Sequence, residues 1–245
     1  MGNSSVKPPN RLRSLLLQTF FLLAIVGIRG QENTKTDIGS WMVFSMDNQL
    51  SEKWSVPVVA ILCYENLAEQ TEFGFVRTGV TYKTSPTLKL TLGTAYVDSQ
   101  PLYHHEFETL TTQVWVYEQA TIKTGTLQHR LRMEHRWIDK PTENIFNTRL
   151  RYRLGFKQRL GTTYYIKCTD EPFFNFDELY IDQNRFFVGI GRKLGKDVSM
   201  EFGYFKTHVG KKNFDRLRVA VHLKTLFFKR NPEDLTQSDF ADSSK

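Results

Sequence analysis

Charged residues, mostly arginine, recur at every second position in two neighbouring stretches of this chain. In "TLQHRLRMEHRW" (126–137), Arg130, Arg132, Glu134 and Arg136 alternate with Leu131, Met133, His135 and Trp137. In "NTRLRYRLGF" (147–156), Arg149, Arg151 and Arg153 alternate with Leu150, Tyr152 and Leu154. Arg185 in "QNRFFVGIG" (183–191) and Glu201 in "SMEFGYF" (199–205) take equivalent places. A two-residue period puts the charges on one face of a β-strand and the apolar residues on the other. Gathered around a bore, such arginines would favour anions, as rings of basic side chains do in pores. Neutralised by Glu134, Glu171, Asp182 and Glu201, the same array would instead be a salt-bridged plug.

Other residue sets carry less. His104 and His105 adjoin Glu106 and Glu108, but a zinc-type site needs three or four converging ligands and adjacent histidines rarely supply two. A hydrolase could be assembled from His104, Asp170, Glu171 and His208, or a lipid-facing esterase from His129 or His135. Neither set shows a nucleophile with a base and an orienting group. "GIGRKLG" (189–195) is a strand followed by a turn, not a glycine-rich loop opening a helix. The expectation is a protein without catalytic residues, cofactor or metal.

These residues need strands to position them, and the chain supplies little else. From residue 37 onward it alternates between strand-like segments and turn-rich breaks. The segments are 38–46, 53–65, 72–83, 87–97, 107–121, 125–138, 146–158, 161–171, 182–193, 196–206 and 214–228. Breaks such as "TSPT" and "KTGT" are short, whereas "DSQPLYHHEF", "EPFFNFDELYI" and "HVGKKN" are longer. Alternating short and long breaks are expected of an up-and-down membrane barrel. "VPVVAILCY" (56–64) is apolar on both faces, and its Pro57 points to a strand end or edge.

The first thirty residues have the form of a secretory signal peptide: Lys7, Arg11 and Arg13 precede the apolar run 15–28, and cleavage is expected after Gly30. That run is shorter than the roughly 20 residues a spanning helix needs. The chain's formal net charge is +7; without residues 1–30 it holds 29 basic against 26 acidic residues. A remainder of +3 with no basic helix argues against a nucleic-acid partner. Cys63 and Cys168 are the two cysteines, and either pairing or two free thiols is compatible with export.

A soluble β-sandwich or lipocalin-like barrel also alternates. Three arginines on one strand beside three on the next make a dense positive surface, however, and like charges across a strand pair destabilise it unless countered. An interior with acids at hand supplies that counter-charge. Trp137, Tyr164 and Tyr204 on the apolar face fit interfacial aromatic girdles. The expected fold is therefore all-β: an up-and-down antiparallel transmembrane β-barrel.

The stretches "DIGSWMVFSMDNQLSEKWS" (37–55), "LQHRLRMEHRW" (127–137), "TRLRYRLGF" (148–156) and "YIDQNRFFVGIGRKL" (180–194) resemble the domain of unknown function 2490 family, as does "VSMEFGYF" (198–205). The resemblance implies one of the small predicted outer-membrane barrels of Bacteroidetes-type bacteria. The resemblance runs from about 37 to 228 and implies fold and location, with no activity or catalytic residues to carry over. It implies outer-membrane lipid and the barrel-assembly machinery as partners, and export through the Sec pathway. Eleven segments are visible, yet single-chain bacterial barrels have even strand numbers. Twelve strands are expected, with ten as the fallback and the missing one sought in "PLYHHEFETL" or "FNFDELY". The expected organisation is a signal peptide (1–30), a linker (31–37), the barrel (38–228) and a polar, disordered tail (229–245). Such a barrel would be structural or a small anion-preferring channel; the alternatives are a barrel enzyme acting on lipid or peptide at the cell surface and a soluble periplasmic β-protein.

Overall fold

A computed structural model describes residues 38–65, 67–100, 110–177 and 180–228, with the backbone alone for Tyr180 and Asp182. The expected signal peptide, linker and tail, and His104, His105, Glu106 and Glu108, lie outside the described residues. β-Branched and aromatic residues at alternating positions build eleven strands. They are β1 (Gly39–Gln49), β2 (Trp54–Glu65), β3 (Gln70–Lys83), β4 (Leu88–Ser99), β5 (Thr111–Thr124) and β6 (Leu127–Asp139). β7 (Asn144–Leu160), β8 (Tyr164–Asn175), β9 (Tyr180–Lys193), β10 (Val198–Val209) and β11 (Lys212–Leu226) complete the set.

Each strand pairs antiparallel with the next, and the sheet closes on itself. The closing pair differs from the others: β1 and β11 run parallel, from Gly39 opposite Arg216 to Gln49 opposite Leu226. This corrects the expected count of twelve, or ten, to eleven among the described residues. An even number is required only when every neighbouring pair is antiparallel; one parallel pair lets an odd number close. A further consequence is that β1 begins at the mouth where β11 begins, so Ile38 and Phe228 lie at opposite mouths.

Connections 50–53, 84–87, 125–126, 161–163 and 194–197 gather at one end, here the turn mouth. The strand ends joined through 66–69, 100–110, 140–143, 176–179 and 210–211 lie at the other, the loop mouth. The expected alternation of short and long breaks is weaker than the sequence suggests, since only 100–110 is long. Strands run past the polar residues that mark a break. "HVGKKN" contracts to a two-residue hairpin because Gly210 takes φ +55, a left-handed turn conformation that glycine adopts without penalty.

Alternation sorts the side chains. Leu92, Phe146 and Ile181 are 59%, 55% and 60% exposed, and they belong to a set of outward Leu, Ile, Val, Met and aromatic residues that circles the barrel. Trp137 and Tyr164 lie near strand ends on this outer face, whereas Tyr204 sits in the middle of β10. The inward positions are buried and sided. On β1–β5, Trp41, Cys63, Phe73, Ala95, Val97 and Trp115 form an apolar cluster joined by Phe187 and Phe205. Trp41 packs on Phe205 at 4.6 Å and edge-on to Phe73 at 5.1 Å. This accounts for β2 being apolar on both faces: Ile61 and Cys63 face the cluster, and the β2–β3 register carries no pair at Pro57.

Glycines thin the wall where tyrosines lie against it. A Cβ on Gly191 would come within 2.1 Å of the Tyr165 ring, and one on Gly93 within 2.6 Å of Tyr117. Tyr117 lies flat across that gap and donates its hydroxyl to the Thr78 carbonyl at 3.1 Å.

Candidate functional site: the charged barrel interior

The arginines of β6 and β7 face each other in register: Arg130 opposite Arg153, Arg132 opposite Arg151, Glu134 opposite Arg149, and Arg136 opposite Asn147. Two of these four pairs set like charges side by side, which is destabilising unless something intervenes. Two buried carboxylates intervene. Glu134 accepts from Arg149 Nε at 3.1 Å and Nη2 at 2.7 Å and from Arg151 Nη1 at 2.7 Å, with Arg132 Nη1 at 3.5 Å. Glu171 on β8 accepts from Arg130 and, at 3.1 Å, from Arg151 Nε. Arg132 adds a bond from Nε to Gln119 Oε1 at 3.0 Å, and Arg136 donates from Nε to Asn147 Oδ1 at 3.1 Å.

Aromatic faces hold the same guanidinium groups from the other side. Phe173 has Arg151 at 4.1 Å, Arg149 at 4.7 Å and Arg185 at 4.9 Å from its ring centre. Arg185 also lies over Trp41 at 5.0 Å, Arg149 over Trp115 at 5.4 Å, and Arg132 over Tyr117 at 4.8 Å. Such contacts within about 6 Å are attractive through the ring quadrupole and are strongest when desolvated. Arg130, Arg132, Arg136, Arg149 and Arg151 are buried, while Arg153 and Arg185 are half-buried. The side chain of Asp182 is outside the described residues.

Glu201 anchors a second cluster nearer the turn mouth. It accepts from Lys167 Nζ at 2.8 and 2.9 Å, from Arg218 Nη1 at 3.0 Å and from the Tyr165 hydroxyl at 3.1 Å. His222 Nε2 lies 3.2 Å from Glu201, and its Nδ1 pairs with the Ser45 hydroxyl across the parallel seam. Sequence reading missed this Ser45–His222–Glu201 chain. The only available signal was a serine and a histidine at inward positions of the first and last strands, and their adjacency depends on the closure.

Of the expected hydrolase set, His104 lies outside the described residues, and Asp170 and His208 stand on either side of Asn184, the register partner of His208. Asp170 and Glu171 are sequence neighbours and so face opposite sides of β8: Glu171 is tied to the interior arginines, and Asp170 accepts from Asn184 Nδ2 at 3.0 Å. His129 and His135 take outward positions. His129 Nδ1 pairs with the Tyr152 hydroxyl at 2.8 Å, and His135 lies between Thr148 at 3.3 Å and Glu118 at 3.4 Å. Among the described residues no group of three or more His, Cys, Asp or Glu is placed to hold a metal ion. Cys63 on β2 and Cys168 on β8 are not bridged to each other, and Cys63 Sγ donates to Glu72 at 3.1 Å.

A closed sheet with an apolar outer face and buried ion pairs defines the class: an all-β barrel protein. The sequence matches a protein family described as Protein of unknown function (DUF2490) over residues 38–218, which takes in ten strands and part of the last. The chain belongs to that family. No curated protein matches it.

Proposed function

We propose that the chain is an outer-membrane β-barrel whose arginine-rich interior is packed shut, a structural barrel rather than an open pore. The observation that carries this reading is the sorting of side chains: large apolar residues outside on strand after strand, and ion-paired Arg and Glu inside. In water that arrangement would leave an extended apolar surface uncovered, which soluble monomers rarely tolerate; in a bilayer it is the expected distribution. No helix among the described residues is long and apolar enough to cross a membrane. The closed sheet leaves no backbone edge exposed to lipid.

Closure of the bore rests on contacts between strands that are not neighbours. Trp41 of β1 meets Phe205 of β10 and Phe73 of β3, and Arg130 of β6 meets Glu171 of β8. Fractionation with boiled and unboiled gel samples tests the membrane assignment: the folded form should migrate apart from the boiled one and stay with outer membranes. Planar-bilayer recording tests the plug. Steady conductance with anion preference would replace it by the channel reading, and that preference should then fall in Arg132→Ala and Arg151→Ala.

The Ser45–His222–Glu201 chain favours a second reading, a barrel enzyme, because a serine, a histidine base and an acid are the parts of a hydrolase triad. Glu201 is shared with Lys167, Arg218 and Tyr165, so it serves the ion-pair cluster as much as the imidazole. A fluorophosphonate probe decides between them: labelling lost in Ser45→Ala would establish the enzyme.

A further inference from the structure

A cavity of about 190 Å³ lies in the half of the interior nearest the loop mouth. Gln113, the third residue of β5, and Val209, the last of β10, border it and set its outer edge at that mouth. Its two sides differ in chemistry. Arg136, Arg149, Arg151 and Arg185, from β6, β7 and β9, line one side, and Arg77 enters from β3. Ile61, Phe73, Phe75 and Val97, from β2–β4, supply the other. No carboxylate stands among the described residues that line it.

Among the described residues, the charge of this region is not balanced by its ion pairs. Setting Arg136 and Arg185 aside, Arg77, Arg130, Arg132, Arg149, Arg151 and Arg153 share the carboxylates Glu134 and Glu171. Six positive charges against two negative leave a surplus of four beside an enclosed space. Burying uncompensated charge is costly unless a counter-charge arrives. Arg149 and Arg151 already give their N–H forks to Glu134 and Glu171, whereas Arg77, 5.7 Å from the centre of the Tyr117 ring, makes no ion pair with a described residue and has its N–H groups left for an oxyanion.

We propose that this cavity binds a small organic phosphate with an apolar or aromatic body, the phosphate on the arginine wall and the body on the apolar wall. A cavity of about 150 Å³ accommodates a benzene ring, so the space suits a single ring with its headgroup. The closed wall gives lipid no lateral entry, so the ligand would arrive from the aqueous side of the loop mouth. The inference stands on the interior alone and holds whether or not the barrel conducts.

Calorimetric titration of the purified full chain in detergent tests it, with phenyl phosphate, inorganic phosphate and benzyl alcohol as probes. Phenyl phosphate should bind saturably, one per barrel and more tightly than inorganic phosphate, while benzyl alcohol should not bind. Arg77→Gln should weaken phenyl phosphate about tenfold, the loss expected for one charge-assisted contact. Val97→Phe fills the cavity without touching a charge and should abolish binding; Arg218→Gln, in the Glu201 cluster, should leave it unchanged. Heat-dependent gel migration reports folding of each variant, so Val97→Phe decides the matter if Arg77→Gln does not fold. Absence of saturable binding, or equal binding by folded Val97→Phe or Arg77→Gln and the parent, would overturn the proposal.

Discussion

Arg216 of β11 places its Nη2 2.6 Å from Glu72 Oε2 of β3, reaching past β1 and β2. The pair ties the parallel seam to the far side of its neighbours, and both side chains are buried. Removing one partner of a buried ion pair leaves an uncompensated charge. Glu72→Gln should therefore destabilise the barrel by about 3 kcal/mol, whereas Glu72→Met with Arg216→Met should recover most of that loss. Urea titration followed by heat-dependent gel migration measures both; equal stability of Glu72→Gln and the parent would refute the brace.

Gly191→Ala forces a methyl group against Tyr165, whose Cζ lies 2.1 Å from the position that carbon would take. Overpacking of this kind costs about 1–3 kcal/mol. The same titration should show the loss, and Tyr165→Leu in the alanine background should relieve part of it. Independent, additive losses would show that the ring and the glycine do not share the site.

Leu92 faces outward in the middle of β4 and is 59% exposed. If that face meets the bilayer core, Leu92→Arg costs about 2–4 kcal/mol in lipid. On a surface facing water the same change stays within about 0.5 kcal/mol. Refolding into lipid vesicles separates the cases, and a negligible effect there would count against the membrane assignment.

Cys63 is fully buried, with its thiol turned to Glu72. N-ethylmaleimide should leave it unmodified in the folded barrel and alkylate it after denaturation. Mass spectrometry of the unreduced protein should show no bridge between Cys63 and Cys168; a mass lower by two hydrogen atoms would contradict the separation of β2 and β8.

The alternation of β6 and β7 was readable because a strand's period is two and the charges are dense. Every arginine quoted from those strands lies on the inward side, and Glu134 sits among them. The family was readable from the same blocks. Three features were not. The parallel β1–β11 pair brings together residues at the two ends of the barrel sequence, with no local signature in either strand. The role of Glu72 was hidden in "TEFGF", where a single acid in an otherwise apolar stretch reads as a surface residue. Ser45 and His222 meet only because that pair forms. Turn lengths misled in the opposite sense, since polar residues of "HVGKKN" belong to the rims of β10 and β11.

Closure by a parallel pair also gives the polypeptide a direction through the barrel. Ten strands can be grouped as five hairpins, each returning the chain to the mouth it left, and the eleventh carries it across without return. If the barrel spans a bilayer, Ile38 and Phe228 therefore face different compartments. A protease-sensitive tag inserted beside Ile38 and another beside Phe228 in a living cell's copy would be cut from opposite sides.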